Sequence, residues 1–215
     1  GMRYIGRATM LGLLVYFMKY VVGDPKGSAM FLAMSGIVAL ISSIIAEIVV
    51  HKMQKRTLYI LGLVIMIVCY VAMFFFGTTA MGFTVIGAVW YIGLGFVNSA
   101  QVGLYADAVD YGVWKMKKNC RAWLMSIAGY PPKMGNLGKA FLVGFGLAII
   151  GFDAKTMPDQ ASTPESVIFG MQVILCVLPA GLMGIGLLLM IFGYRLTDDK
   201  MKAIQADLEE WGLAN

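Results

Sequence analysis

The sequence predicts an all-α membrane protein with six transmembrane helices, on three observations. Hydrophobic residues make up 60% of the chain and charged residues 13%, where a water-soluble domain carries about 25% charged residues, and the mean hydropathy is +0.79. The apolar residues fall into six runs, each near the roughly 20 residues that a helix needs to cross the hydrocarbon core. The basic residues gather between alternate runs: of the 17 Lys and Arg, all but Lys19, Lys26 and Lys155 fall on one side of the spans. That asymmetry predicts a multi-pass protein of the cell (inner) membrane with both termini in the cytoplasm. It also argues against nucleic acid as the partner of the net charge of +5, because these cations are loop residues of a bilayer protein. Membrane lipid is the partner that the composition requires.

The first span is expected over residues 4–22, closed by Gly23-Asp24-Pro25, since Gly and Pro after an apolar run stop a helix. It has no small-residue cleavage site and another span follows, so it reads as a span and not a leader. The second, 30–50, carries Glu47 near its end and is followed by His51, Lys52, Lys55 and Arg56. The third, 57–76, turns at Gly77-Thr78-Thr79. The fourth, 81–106, is rich in glycine and ends before Asp107 and Asp110. A basic loop with Lys115, Lys117, Lys118 and Arg121 leads to the fifth, 122–151, which contains Pro131, Pro132, Lys133 and Lys139. Two consecutive prolines remove two amide donors, so the carbonyls of Ile127 and Ala128 are expected to lack helix partners. The resulting break either lines a cavity or packs as a tolerated kink. Pro158 and Pro164 mark a loop over 153–165, and the sixth span covers 167–194. Residues 195–215 are polar with Ile204, Leu208 and Trp211 at helical spacing, which predicts a cytoplasmic amphipathic helix.

Several residues stand out because they are costly in such a chain. A lysine within a span costs about 2.5–3.5 kcal/mol to insert, so Lys133 either faces a cavity or snorkels to the interface. Lys19 and Lys139 pose the same choice, with snorkelling expected for Lys19. Asp107 and Asp110, three apart, share one helix face and form either an ion-paired network or a solvated turn. Asn98 and Gln101 also share a face, suited to a polar ligand or to interhelical hydrogen bonds. Tyr16, Tyr20 and Trp90 are candidates for stacking on a ligand, or else for the aromatic belt or helix packing. Glu47 is expected to pair with Lys52 or Arg56 rather than to serve as a proton relay. Gly144 with Ala148, and Ala180 with Gly184, have the spacing that lets helices approach closely. Cys69, Cys120 and Cys176 lie in different segments and His51 is the only histidine, so neither a disulfide framework nor a metal site is expected. No nucleophile with its base, and no acid pair within a span, supports an enzyme.

The stretch Ala106, Asp107, Val109, Asp110, Tyr111, Gly112, followed about twenty residues on by Lys133, resembles the glycoside-pentoside-hexuronide:cation symporter family of the major facilitator superfamily. In that family an A-D-x-V-D-Y-G signature closes the tenth helix and a lysine lies in the eleventh. Tyr16 to Asp24, YFMKYVVGD, resembles the family's Y-Y-x-x-Y-V-x-G-D at the end of helix seven, with Lys19 at a position that is usually uncharged. Gly151-Phe152 is similar to the family's Gly-aromatic exit from helix eleven, whereas Pro131-Pro132 departs from the pattern.

The resemblance covers the chain as the C-terminal half of a twelve-helix transporter. It implies alternating access, with a sugar or glycoside moved in symport with Na+ or H+ and no permanently bound cofactor. The partner is then an N-terminal six-helix half or a second copy of this chain. The resemblance implies Lys133 as a substrate-binding residue, which Tyr16, Tyr20, Asn98 and Gln101 would join by their own chemistry through stacking and hydrogen bonds to sugar hydroxyls; it implies Asp107 and Asp110 as a cytoplasmic gate, with Arg121, Lys115 or Arg56 as partners. Coupling-cation ligands belong to the family's N-terminal half. Extra positive charge at Lys19 and Lys139, if turned to the cavity, suits an anionic sugar. A non-transporting fragment or membrane scaffold is the alternative.

Overall fold

The computed structural model of the chain describes residues 1–50, 53–154, 156–194, 196 and 198–213, with the side chains of 198 and 199 left out. His51, Lys52, Lys155 and Arg195 therefore lie outside the described residues. Every regular element among the described residues is helical: α1 (Met2–Phe17), α2 (Gly27–Val50), α3 (Lys55–Phe76), α4 (Ala80–Met116), α5 (Arg121–Ile127), α6 (Tyr130–Ile149), α7 (Glu165–Gln172), α8 (Leu178–Gly193) and α9 (Asp198–Glu210). A π-helical turn, Met18–Val22, extends α1, and another, Val173–Val177, joins α7 to α8.

Local chemistry sets these boundaries. The α1 segment ends at Gly23, whose left-handed φ of 77° is open to glycine without strain. Thr79 caps α4 by accepting the Gly82 amide at 3.1 Å, one of the free donors of a helix start. The π turn before α8 precedes Pro179, which has no amide for the Leu175 carbonyl and so forces the ladder to widen.

Five segments, Met2–Val22, Gly27–Val50, Lys55–Phe76, Ala80–Met116 and Glu165–Gly193, are long and apolar enough to cross a bilayer. The fifth expected span, 122–151, is divided. Helix α5 stops at Ile127, and Pro131 and Pro132 fall in the first turn of α6, where a missing amide costs nothing. The break therefore lies at the start of this span and not at mid-depth. What remains, α6, has 20 residues, about 30 Å at 1.5 Å per residue, but Lys133 and Lys139 dilute its apolar character. Helix α4 runs to Met116, beyond the end expected near 106, because nothing in the polar residues after Ala106 stops a helix once it has left the bilayer. It ends at Lys117, the one non-glycine residue with positive φ (52°) among the described residues.

The helices pack in an open ring, in the order α2, α4, α3, α8, α1, α6, with α2 and α6 at its two ends. Bilayer lipid offers apolar side chains no hydrophobic gain on burial, so close backbone approach and shape hold such a bundle together. Gly62 of α3 and Gly93 of α4 meet face to face: a Cβ on Gly62 would come within 2.7 Å of the Gly93 carbonyl, and the reverse within 2.9 Å. Gly135 of α6 does the same against Tyr4 of α1. Gly144, by contrast, has no heavy atom within 4 Å of its built Cβ, so its expected pairing with Ala148 meets no helix of the described chain. Aromatic rings fill the core, with Phe17 and Phe31 on Phe83 at centroid distances of 5.0 and 5.2 Å, and Tyr70 edge-on to Trp90 at 5.8 Å. The rows turned outward, such as Leu40, Ile44 and Ile48 on α2, are apolar and suit lipid contact.

Candidate functional site

Charged side chains concentrate at one end of the bundle, where α1, α3 and α5 begin and α4 and α8 end; it is called the basic end here. Asp107, on the outrun of α4, is buried and accepts from Lys55 Nζ of α3 at 2.8 Å. Asp110, one turn on, accepts from Arg121 Nη1 of α5 at 2.6 Å. The sequence pointed to Arg121, Lys115 or Arg56 as partners of these acids. Arg121 holds that place for Asp110, whereas Lys55 takes Asp107, Lys115 is exposed and Arg56 donates to the Ile191 carbonyl of α8 at 2.7 Å. Gly103 makes the Lys55 contact possible, since a Cβ there would come within 2.7 Å of the lysine Cδ. It lies one turn before Asp107 on the same face, a signal present in the sequence but unread.

Arg121 also binds the tail, donating Nη2 to the Leu213 carbonyl at 3.0 Å. Helix α9 lays Met201, Ile204 and Leu208 on Val113 and Trp114 of α4, and the Trp114 indole donates to Asp207 at 2.8 Å. Ile204 and Leu208 thus occupy the buried face that their spacing predicts. Trp211 lies just past the helix, where its ring takes the Lys117 ammonium at 5.3 Å. Between α4 and the α5–α6 break is an apolar cavity of about 260 Å³ lined by Tyr105, Leu124, Ile127 and Pro131.

Asn98 and Gln101 face α1. Arg3 Nη1 donates to Asn98 Oδ1 at 2.6 Å, Arg3 Nη2 donates to Gln101 Oε1, and the Gln101 amide donates to the Tyr4 hydroxyl at 2.9 Å. The Arg3 guanidinium also lies over the Tyr4 ring at 4.4 Å. This clasp joins α1 to α4. Arg3 counted only towards loop charge in the sequence, yet it is 5% exposed and organises the cluster; its place among the first apolar residues was the available signal.

The remaining candidates are dispersed. Lys133 is exposed on α6, on the face opposite Gly135, with its ammonium 6.0 Å from the Tyr130 ring. Because Gly135 packs on Tyr4, Lys133 lies near the level of the Arg3 clasp. Tyr16 and Tyr20 lie near the far end of the α1 segment, about 18 Å and more beyond Tyr4 at 1.5 Å per residue. They stack on each other at 6.5 Å, and both meet Phe152 edge-on, at 5.8 and 4.9 Å. The structure therefore brings Asn98 and Gln101 together and sets Tyr16 and Tyr20 apart from them. Lys19 lies over the Tyr20 ring at 4.9 Å, and Lys139 lays its stem across Gly12. Trp90 is fully buried in the core.

Residues 2–198 match the family described as MFS/sugar transport protein. The chain belongs to that family. Its members are transporters and not enzymes, and the match agrees with the symporter resemblance of the helix-end motifs. The uncharacterized symporter YjmB of Bacillus subtilis (strain 168) is 27% identical over 203 residues, covering 92% of this chain and 42% of that protein. The isoprimeverose transporter of Lactiplantibacillus pentosus is 28% identical over 151 residues, 69% of this chain and 30% of its own length. The inner membrane symporter YicJ of Escherichia coli (strain K12) is 25% identical over 203 residues, 93% of this chain and 43% of its length. The chain thus spans about two fifths of the length of YjmB and YicJ, and this MFS/sugar transport protein is a multi-pass membrane protein by its apolar helices.

Proposed function

We propose that the chain forms one lobe of a sugar or glycoside transporter that works by alternating access, in symport with Na+ or H+. The family match over residues 2–198 carries the class of cargo. The open ring supports the lobe: α2 packs on α4 and α6 on α1 at the two ends of the ring, and the far edge of each would seat an N-terminal six-helix half or a second copy. Lys133 stands on that edge, where a lysine turned to lipid is costly and one turned to a polar cavity is not. It would orient the substrate, with Asn98 and Gln101 behind it at the same level and Tyr16 and Tyr20 at the far mouth. The Asp107–Lys55 and Asp110–Arg121 pairs would act as the gate at the basic end, which would face the cytoplasmic side of the inner membrane, a reading supported by the Lys and Arg asymmetry.

Uptake of labelled glycosides into vesicles, with and without a Na+ or proton gradient, tests this reading for the chain alone and with an N-terminal half supplied. Gradient-driven uptake by the reconstituted pair, reduced tenfold or more by Lys133→Ala, is the expected result (roughly the loss of one charged hydrogen bond). Uptake unaffected by Lys133→Ala would remove that lysine from the site. A pair that assembles without transporting would favour a scaffold.

A further inference from the structure

Beside the Arg3 clasp is a cavity of about 320 Å³ whose walls come from α1, α3, α4 and α8, with Arg3, Tyr4, Tyr59, Gln101 and Tyr105 as its polar side chains. Neither α2 nor α6 lines it. Arg3 is held there by the oxygens of two neutral amides, which fix the guanidinium and leave its charge uncompensated. Among the described residues no carboxylate reaches it, and its Nε is buried with no hydrogen-bond partner. The Tyr59 and Tyr105 hydroxyls are likewise without a partner among the described residues. A fixed cation with spare donors and no acid has the chemistry of an oxyanion site.

Where the cavity opens decides which oxyanion. Its α8 wall, Gly186 and Leu189, is continuous with the exposed Leu188 and Phe192, so it borders the lipid-facing surface at the level where α1 and α3 begin. Arg56, tied to the Ile191 carbonyl at 2.7 Å, adds positive charge near that rim. Basic pockets between helices at a membrane interface attract phosphate headgroups. We propose that this cavity takes the phosphate of an anionic phospholipid from the leaflet at the basic end. Arg3 and the two tyrosine hydroxyls would contact its oxygens, with an acyl chain lying along the α3–α8 seam.

The test is thermal unfolding of the detergent-solubilised full chain with added phosphatidylglycerol, phosphatidylcholine or inorganic phosphate. It is run on the natural chain and on a Tyr59→Phe, Tyr105→Phe variant, which keeps the rings and leaves Arg3 to hold α1 on α4. Phosphatidylglycerol should raise the Tm well above the other two additives, and the variant should bind it roughly tenfold or more weakly, as for lost hydrogen bonds to a charged group. Equal shifts with both lipids, or a variant that retains the full difference, would overturn the proposal. A full shift with inorganic phosphate alone would overturn the lipid assignment and leave a site for soluble anions.

Discussion

The two ends of the bundle are held by different chemistry. At the basic end, side chains reach across long sequence separations to polar partners: Arg3 to Asn98 and Gln101, Lys55 to Asp107, Arg121 to Asp110 and Leu213. At the opposite end Tyr16, Tyr20 and Phe152 interlock by shape, and the Gln160 amide closes the turn by donating to the Val21 carbonyl at 2.7 Å. Charge-assisted contacts are strong where solvent is excluded, and their partners can be exchanged for other ions or for water. Aromatic packing offers no such exchange. The first arrangement suits contacts that open and close during a cycle, the second a fixed frame, and substitutions at each end test the contrast.

The largest effect is expected from Arg3→Ala. It removes the clasp between α1 and α4 and leaves the amide oxygens of Asn98 and Gln101 without their donors inside the bundle, a loss of about 2–4 kcal/mol for the two acceptors together. Denaturation of the detergent-solubilised chain measures it, and a change under about 1 kcal/mol would show that the clasp contributes little. Lys55→Met comes next. Asp107 then stays buried without its cation, but Lys55 itself is 40% exposed, so water relieves part of the penalty and about 1–3 kcal/mol is expected. The companion change Asp107→Asn should restore most of that stability, because it removes the stranded charge; no recovery in the double variant would mean that the pair is not coupled.

How much of this was legible in the sequence follows the same division. Periodicity and length place the helices, because the bilayer imposes one demand on every span, and the stops at Gly23 and Gly77 follow from local backbone chemistry. The division of the span 122–151 was half legible: Pro131 and Pro132 announce a break, but whether it falls at mid-depth or at the entry depends on where the bilayer edge lies, which composition does not fix. Asp110 with Arg121 was readable because the two are joined by one short loop. Lys55 with Asp107, and Arg3 with Asn98 and Gln101, were not, since they depend on which helices become neighbours. The proximity of α1 and α4 is a property of the ring and is carried by no single segment.

A smaller effect is expected from Phe152→Leu at the opposite end. Two edge-on ring contacts disappear while most of the apolar volume remains, and aromatic pairs contribute about 0.5–1.5 kcal/mol each, so a loss of roughly 1–2 kcal/mol should appear in the same denaturation measurement. Its distinguishing property is that the loss stays constant across salt concentrations.

Salt itself should produce the smallest change and discriminate most sharply. The Debye length falls from about 10 Å at 0.1 M to about 3 Å at 1 M ionic strength, which weakens pairs that solvent reaches. Lys55–Asp107 is such a pair on its lysine side, whereas Asp110–Arg121 is only 15% and 17% exposed and should be screened less. Hydrogen exchange of the natural chain at low and high NaCl should therefore show protection falling at the start of α3 and the outrun of α4, by tenths of a kcal/mol, with a lesser change in α5. Protection around Tyr16, Tyr20 and Phe152 should move less, since ring packing, which salt does not screen, holds these residues together. Equal loosening at both ends would mean that salt acts on the bundle as a whole, and the division into an exchangeable end and a fixed frame would fail.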